Sequence, residues 1–122
     1  MIITTWVSKI RSAWVRGRKK QATLDHLHEQ REIGQQAREA FDRGRPVDDR
    51  PPFATDEMWK ATFWHQTWMS QKAFREGQAA QKNGLSIKDN PYRPEYHLRF
   101  DRPDLQTTLF TYWNRGYQHP KA

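Results

Sequence analysis

Cysteine is missing from the 122-residue chain, which excludes disulfide bonds and thiolate metal sites. No apolar stretch reaches the roughly 18 residues of a membrane-spanning helix. The five histidines (His26, His28, His65, His97 and His119) show no metal-ligand spacing. No glycine-rich phosphate loop, nucleophile elbow or paired-carboxylate cleft is visible either. These absences predict a cytoplasmic protein without a catalytic site, a metal or a cofactor, for which a small-molecule substrate is not expected.

Acidic residues are absent from the first 24 positions, which carry six basic ones. These are Lys9, Arg11, Arg16, Arg18, Lys19 and Lys20. The remaining 98 residues hold 15 basic and 14 acidic side chains, so nearly all of the net charge of +7 lies in this arm. Attraction to an anionic partner is therefore expected to concentrate there.

Apolar residues recur at helical spacing throughout, which predicts an all-α protein with proline-rich loops. A basic amphipathic helix is expected over residues 4–16, loosened at Gly17, and a second helix over residues 21–43, with Leu24 and Leu27 on its apolar face. Gly44 ends that helix, and prolines forbid a regular element over residues 45–54. A long helix is expected over residues 55–83, capped by Thr55 and stopped by Gly84.

The C-terminal region is expected to form a loop over residues 85–102 and one last helix. Residues 96–100 alternate in polarity and could form a short extended segment. The last helix should begin near Asp101 or Asp104. On it, side chains at i+4 spacing share one face: Leu105, Leu109, Trp113 and Tyr117.

A set of spaced positions in residues 74–118 carries a more specific signal. Its members are Gly77, Ala80, Gly84, Pro91, Tyr92, Trp113, Gly116 and Tyr117. The pattern resembles the ribosome modulation factor family, with Asn90 in place of that family's cysteine and an insertion at residues 94–103. Physically, Gly77 and Ala80 allow another helix to approach closely, and the Trp113/Tyr117 face covers them. The change to Asn90 is expected to matter little.

A weaker echo over residues 31–71 suggests a degenerate second copy. It pairs Gly34 with Gly77, and its second glycine, Gly44, is displaced by one helical turn. Chance recurrence of glycine stops and proline loops is an equally acceptable explanation. The resulting organisation is a basic arm over residues 1–20 and two helical hairpins in series, over residues 21–72 and 73–122.

The resemblance implies a hibernation-type translation regulator, which binds ribosomal RNA or the small ribosomal subunit and blocks or remodels its contacts. The six basic residues of the arm are the first candidates for RNA contacts. Candidates within the matching segment are Arg75, Lys82, Lys88, Tyr92, Arg93 and Arg115, with Tyr112 as a further stacking group.

Two alternatives stay open. The arm could instead lie on an anionic membrane surface, or it could dock on a protein partner through Trp6 and Trp14. The near-neutral body also fits a structural or adaptor protein, possibly phage-encoded, that docks onto a protein complex through its aromatic-rich helices.

Overall fold

The computed structural model describes residues 2–93 and 103–120, and the side chains of residues 22–93 and 104–120. This part of the chain is all-α and contains three helices: α1 (Ile2–Asp42), α2 (Met58–Lys82) and α3 (Pro103–Gln118). Two 3₁₀ turns, Thr55–Glu57 and Ile87–Asp89, lie in the connections. The chain divides into two units, Met1–Glu32 and Ile33–Ala122. The organisation predicted from the sequence, with divisions after residues 20 and 72, stays a prediction.

The first unit consists of the N-terminal part of α1. The expected loosening at Gly17 is wrong, because the helix continues through it. A lone glycine costs a helix only about 1 kcal/mol, and no proline follows it to bar the next turn. Leu24 and Leu27, which the sequence places on the apolar face of the predicted helix, are each 51% exposed. The basic side chains of residues 9–20 lie outside the described side chains.

Glycine ends both α1 and α2 in the predicted way. Gly44 and Gly84 each adopt φ of +76°, the left-handed conformation that glycine tolerates best. Beyond Gly44, the amide of Arg45 donates to the carbonyl of Ala40 at 2.9 Å. Beyond Gly84, the amide of Leu85 donates to the carbonyl of Ala80 at 3.0 Å. Each helix therefore satisfies its last carbonyls within the chain before it turns away.

The start of α2 differs from the sequence prediction. The long helix begins at Met58, after a 3₁₀ turn, and Thr55 provides no side-chain cap. The proline at the start of α3, by contrast, lies in the first turn as expected, where its missing N–H costs nothing. The segment 96–100, expected to be extended, lies outside the described residues.

Two buried clusters hold the second unit together, and α2 contributes to both. We call the arrangement of residues 33–42 on residues 58–68 the first helix pair. The second helix pair is formed by residues 69–82 and α3.

Each helix pair encloses one of the two clusters. The first cluster contains Ile33, Ala37, Ala40 and Trp64, with Phe53, Trp59, Phe63 and Trp68 packed against it. The second cluster contains Ala73, Ala80, Tyr92, Leu105, Leu109 and Trp113, with Met69, Phe110, Tyr112 and Tyr117 packed against it.

Candidate functional site

Helices α2 and α3 cross with their backbones in contact, and a glycine lies at the crossing on each side. A Cβ on Gly77 would overlap the carbonyl oxygen of Trp113 and lie 2.9 Å from the Trp113 carbonyl carbon. A Cβ on Gly116 would overlap the carbonyl oxygen of Phe74 in the same way. The sequence predicted a close approach between the Gly77/Ala80 face and Trp113, and this packing is confirmed.

The aromatic residues of α3 close over the end of α2. The rings of Trp113 and Tyr117 stack, with centroids 5.6 Å apart. The Tyr117 hydroxyl donates a 2.7 Å hydrogen bond to the carbonyl of Leu85, the residue that follows the stop glycine Gly84. The prediction that these α3 side chains share one face is therefore confirmed. Tyr117, the last of them, also binds the chain just after the end of α2.

Asn90 has a larger role than its replacement of a cysteine suggested. Its side chain is fully buried, and its amide nitrogen donates to the carbonyl of Phe110 at 3.1 Å and to Oδ1 of Asn114 at 3.0 Å. Its own Oδ1 accepts the backbone N–H of Tyr92 at 2.9 Å. A cysteine could not make this set of bonds, so the expectation that the change matters little is wrong.

A second buried amide ties the same loop to α3. Nε2 of Gln106 donates to the carbonyls of Tyr92 and Arg93, at 3.3 and 3.1 Å. Together, Asn90 and Gln106 hold the loop between α2 and α3 by side-chain hydrogen bonds that helical periodicity does not reveal.

One hydrogen bond of the second helix pair has a counterpart in the first. Nε1 of Trp68 donates to the carbonyl of Arg45, which follows the stop glycine Gly44, just as Tyr117 does at Leu85. Nε1 of Trp64 donates to the carbonyl of Val47, at 3.1 Å. In both helix pairs, an aromatic side chain therefore donates a hydrogen bond to the carbonyl of the residue that follows a helix-ending glycine.

A register of forty residues also aligns the two stretches, and it differs from the register expected from the sequence. In it Ala37, and not Gly34, corresponds to Gly77, and Gly44 corresponds to Gly84. In this register the corresponding positions are Ile33 and Ala73, Ala37 and Gly77, Ala40 and Ala80, and Gly44 and Gly84. The first three members of each set are buried. Gly34 is buried as well, so burial does not exclude the register expected from the sequence, and the second copy stays a prediction.

Tyr92 was expected to stack on an unpaired base, and the structure contradicts this. The residue is only 4% exposed, and its hydroxyl donates to Oε2 of Glu76 at 2.9 Å. A ring packed in the second cluster cannot meet a base without unfolding the loop. Tyr92 is therefore a core residue, as its position in the motif also implied.

Arg75 joins two helices and is not a free cation. Its Nε and one terminal nitrogen form a fork with the carboxylate of Asp42, at 3.0 and 2.9 Å, and its other terminal nitrogen donates to Gln78 at 2.8 Å. The hydrogen bond that Arg75 donates to the Asp42 carboxylate raises the pKa of Arg75 above its ordinary value. We therefore assign Arg75 to holding α1 on α2 within the second unit.

The other predicted RNA contacts within the matching segment lie at the surface. Lys82, Lys88 and Arg115 are exposed, and Arg93 is partly exposed, with its guanidinium donating to the carbonyl of Lys88 at 2.9 Å. The Arg115 guanidinium lies 5.3 Å from the centroid of the half-buried Tyr112 ring. These cations can reach an anionic partner without any change in the fold.

A basic pocket that the sequence did not predict opens where α1 ends. We call it the arginine pocket, and its volume is about 350 Å³. Its lining includes Ala40, Arg43, Arg45, Arg50, Pro51 and Trp64. The acids Glu39 and Asp49 also border it, and Asp49 lies 3.7 Å from the guanidinium of Arg45. Residues 25–122 carry almost no net charge, so their overall charge does not indicate this cluster. The local sequence could have indicated it, because Arg43 and Arg45 flank Gly44 and Arg50 precedes two prolines.

The part of the chain that the structure describes shows neither a metal site nor a membrane-spanning helix. No group of three or more histidine, aspartate or glutamate side chains there could hold a metal ion. Among the same residues, no helix is both long and apolar enough to cross a membrane. Comparison of the chain with protein-family models, with curated proteins and with solved structures yields no match.

Proposed function

We propose that the protein is a non-catalytic RNA-binding protein of the ribosome modulation type, which acts in the cytoplasm on the small ribosomal subunit and blocks or remodels its contacts. The observation that carries the proposal is the crossing of α2 and α3 at Gly77 and Gly116. It supports the resemblance, because the spaced motif residues together allow these two helices to pack closely. The helical hairpins in series and the tandem second copy are part of the same proposal.

Binding on this proposal is electrostatic and steric. The basic arm supplies most of the phosphate contacts, and exposed cations near the ends of α2 and α3 supply the rest. These further cations are Lys82, Lys88, Arg93 and Arg115. Tyr112, which is half-buried beside the Arg115 guanidinium, is the candidate ring for stacking on an unpaired base.

A structural or adaptor role is the second candidate, and exposed apolar side chains favour it. Leu24 and Leu27 are each 51% exposed on α1, and Met58 is 55% exposed at the start of α2. Leucines three residues apart on a helix are typical anchors for a groove on another protein. On this alternative the protein would migrate with one protein complex and not with ribosomal particles.

Sedimentation with purified small ribosomal subunits tests the proposal. Full-length protein is mixed with subunits at low and at physiological salt, and the bound fraction is measured after gradient centrifugation. A variant with all six basic residues of the arm replaced by glutamine is compared with a charge-retaining control, in which each arm lysine becomes arginine and each arginine becomes lysine. Both variants keep the side chains of the second unit.

The expected result is co-sedimentation of the wild type and of the control, with strong loss of binding for the glutamine variant. Six lost phosphate contacts would flatten the slope of log affinity against log salt by about 4. The proposal fails if the wild-type protein does not co-sediment with small subunits even at low salt. Equal binding by the glutamine variant would contradict the role assigned to the arm.

A further inference from the structure

The arginine pocket is formed by backbone that the fold holds in place. Arg43 directly follows the last residue of α1, and Arg45 and Arg50 lie in the loop that comes next. Two indole hydrogen bonds from α2 hold this loop at the carbonyls of Arg45 and Val47. Arg50 is followed by two prolines, which restrict the backbone on its other side. The three arginines therefore border one space from positions that the fold sets.

The apolar lining of the pocket offers no aromatic face to a ligand. Trp64 is only 3% exposed, and its Nε1 donates to the carbonyl of Val47 at 3.1 Å. The other apolar lining comes from Ala40 and Pro51, which carry no aromatic ring. A base could not be selected here by stacking, so any preference of the pocket must come from its charged side chains.

The charges around the pocket leave two guanidinium groups available. Arg45 lies 3.7 Å from Asp49, whereas the exposed Arg43 and Arg50 have no hydrogen-bond or ion-pair partner from their side chains among residues 22–93 and 104–120. Glu39 is the remaining charged group of the lining. Three arginines and two acids give the lining a net charge of +1, which one singly charged anion would neutralise.

A phosphodiester fits this lining in both charge and geometry. It carries one negative charge shared by two oxygens, and a guanidinium binds such oxygens through its planar fork of N–H donors. A phosphate monoester carries more charge, about −1.5 to −2 at pH 7, and would exceed the +1 of the lining. The volume of about 350 Å³ is within the usual range for small-ligand sites.

We propose that the arginine pocket binds one phosphodiester of an RNA backbone, held between the guanidinium groups of Arg43 and Arg50. This assignment rests on the proposed function and adds to it a sequence-independent contact on the second unit, separate from the basic arm. Because the contact is to the backbone, a strand without bases occupies the pocket as well as an intact strand does. This property distinguishes the pocket from Tyr112, which is a candidate for stacking on a base.

The first test measures how tightly the full-length chain binds a short, fluorescently labelled single-stranded RNA over a range of salt concentrations. The double variant Arg43→Gln/Arg50→Gln removes both available guanidinium groups. Its matched control, Arg31→Gln/Arg38→Gln, removes the same charge from exposed positions of α1 that do not line the pocket. A third variant, Arg43→Lys/Arg50→Lys, keeps the charge and removes the fork. Thermal melts followed by circular dichroism check the fold of each variant.

We expect Arg43→Gln/Arg50→Gln to weaken binding by about tenfold or more, because it removes charge-assisted hydrogen bonds to a phosphate. The slope of log affinity against log salt should flatten by about 0.7, the value for one phosphate of a single strand. The lysine variant should keep the slope and bind with intermediate affinity. The control should lose much less, because salt screens exposed charges that lie far from the strand. Equal losses in the glutamine variant and the control would overturn the proposal.

The second test locates the strand on the protein. Because the chain lacks cysteine, one can be installed at the pocket by Gln36→Cys, or outside it on the same helix by Gln35→Cys. Both glutamines are exposed, so either cysteine should react with iodoacetamide. Bound RNA should slow the reaction at position 36 more than at position 35, and an abasic strand of equal charge should do the same. No protection at position 36, or protection by the intact strand alone, would contradict a backbone contact.

Failure of this site can be told apart from failure of the proposed function. Co-sedimentation with small subunits, together with no effect of the pocket variant, removes the phosphodiester site and leaves the proposed function intact. Absence of binding to RNA and to subunits overturns both. Stronger protection by a polyglutamate peptide than by RNA of equal charge assigns the pocket to a protein partner, and equal protection by inorganic phosphate assigns it to a free anion. Either result overturns the assignment to RNA.

Discussion

Replacement of Gly77 by alanine tests whether the crossing of α2 and α3 holds the second unit together. A Cβ there would lie 2.9 Å from both the Trp113 carbonyl carbon and the Tyr117 backbone nitrogen. Carbon atoms prefer separations of about 3.5–4.0 Å, so the two backbones would have to part by roughly 1 Å. No rotamer change can relieve a clash with backbone. We take the packing cost at the upper end for overfilled cores, about 3 kcal/mol.

The helix propensity of alanine opposes this cost by about 1 kcal/mol. The net expectation is a loss of about 2 kcal/mol in the free energy of unfolding, which lowers Tm by roughly 10 °C for a unit of this size. The measurement is a thermal melt of the full chain followed by circular dichroism and tryptophan fluorescence.

Gly34→Ala is the matched control. A Cβ on Gly34 would meet only the flexible end of Arg38 at 3.3 Å and the Phe63 ring at 3.5 Å. The propensity gain should therefore dominate, and Tm should rise by a few degrees, roughly 4 °C or more for a full kcal/mol. A Gly77→Ala protein as stable as the wild type, or more stable, would refute the close crossing of α2 and α3.

Further predictions concern single side chains. Asn90→Leu should lower the free energy of unfolding by about 2–3 kcal/mol in urea titrations, because it leaves buried groups of the loop and of α3 without partners; an unchanged midpoint would contradict this. Tyr117→Phe should cost about 1 kcal/mol, the value of its bond to Leu85. A double-mutant cycle of Asp42→Asn and Arg75→Met should give a coupling of at most about 1 kcal/mol, since both side chains are one-third exposed or more. Pairing raises the pKa of Arg75, so this coupling is fully present below its ordinary pKa and should not change between about pH 6 and 9.

The spacing of apolar residues and the positions of glycine and proline predicted the fold well wherever one residue decides the local conformation. The ends of α1 and α2 followed from Gly44 and Gly84, because a left-handed residue is needed there and glycine adopts it without strain. The face of α3 followed from i+4 spacing. The break at Gly17 was wrong because the same residue type only weakens a helix when nothing after it bars the next turn.

The parts of the site that depend on contacts between distant segments could not be predicted in the same way. Asn90 reads as an ordinary loop residue until its 20-residue separation from Phe110 is closed by folding. Arg75 reads as a surface group because its partner Asp42 lies too far away in the chain to be paired by a local rule. The arginine pocket brings Arg43, Arg50 and Trp64 together, and their separation in the chain hides this neighbourhood from any local pattern.

Helix α2 belongs to both helix pairs, and this sharing limits how the chain can change in length. Trp64 and Gly77, which serve different pairs, are separated along one helix by about 20 Å and a rotation of roughly 220°, at 1.5 Å and 100° per residue. One residue inserted between Trp68 and Ala73 would turn one pair by about 100° against the other. An extra residue in the segment 45–54 would leave the rotation of one pair against the other unchanged, and its cost would depend on the bonds at the Arg45 and Val47 carbonyls and on the packed Phe53 ring. The middle of α2 therefore has a length that must be kept, because it sets the angle between the two helix pairs.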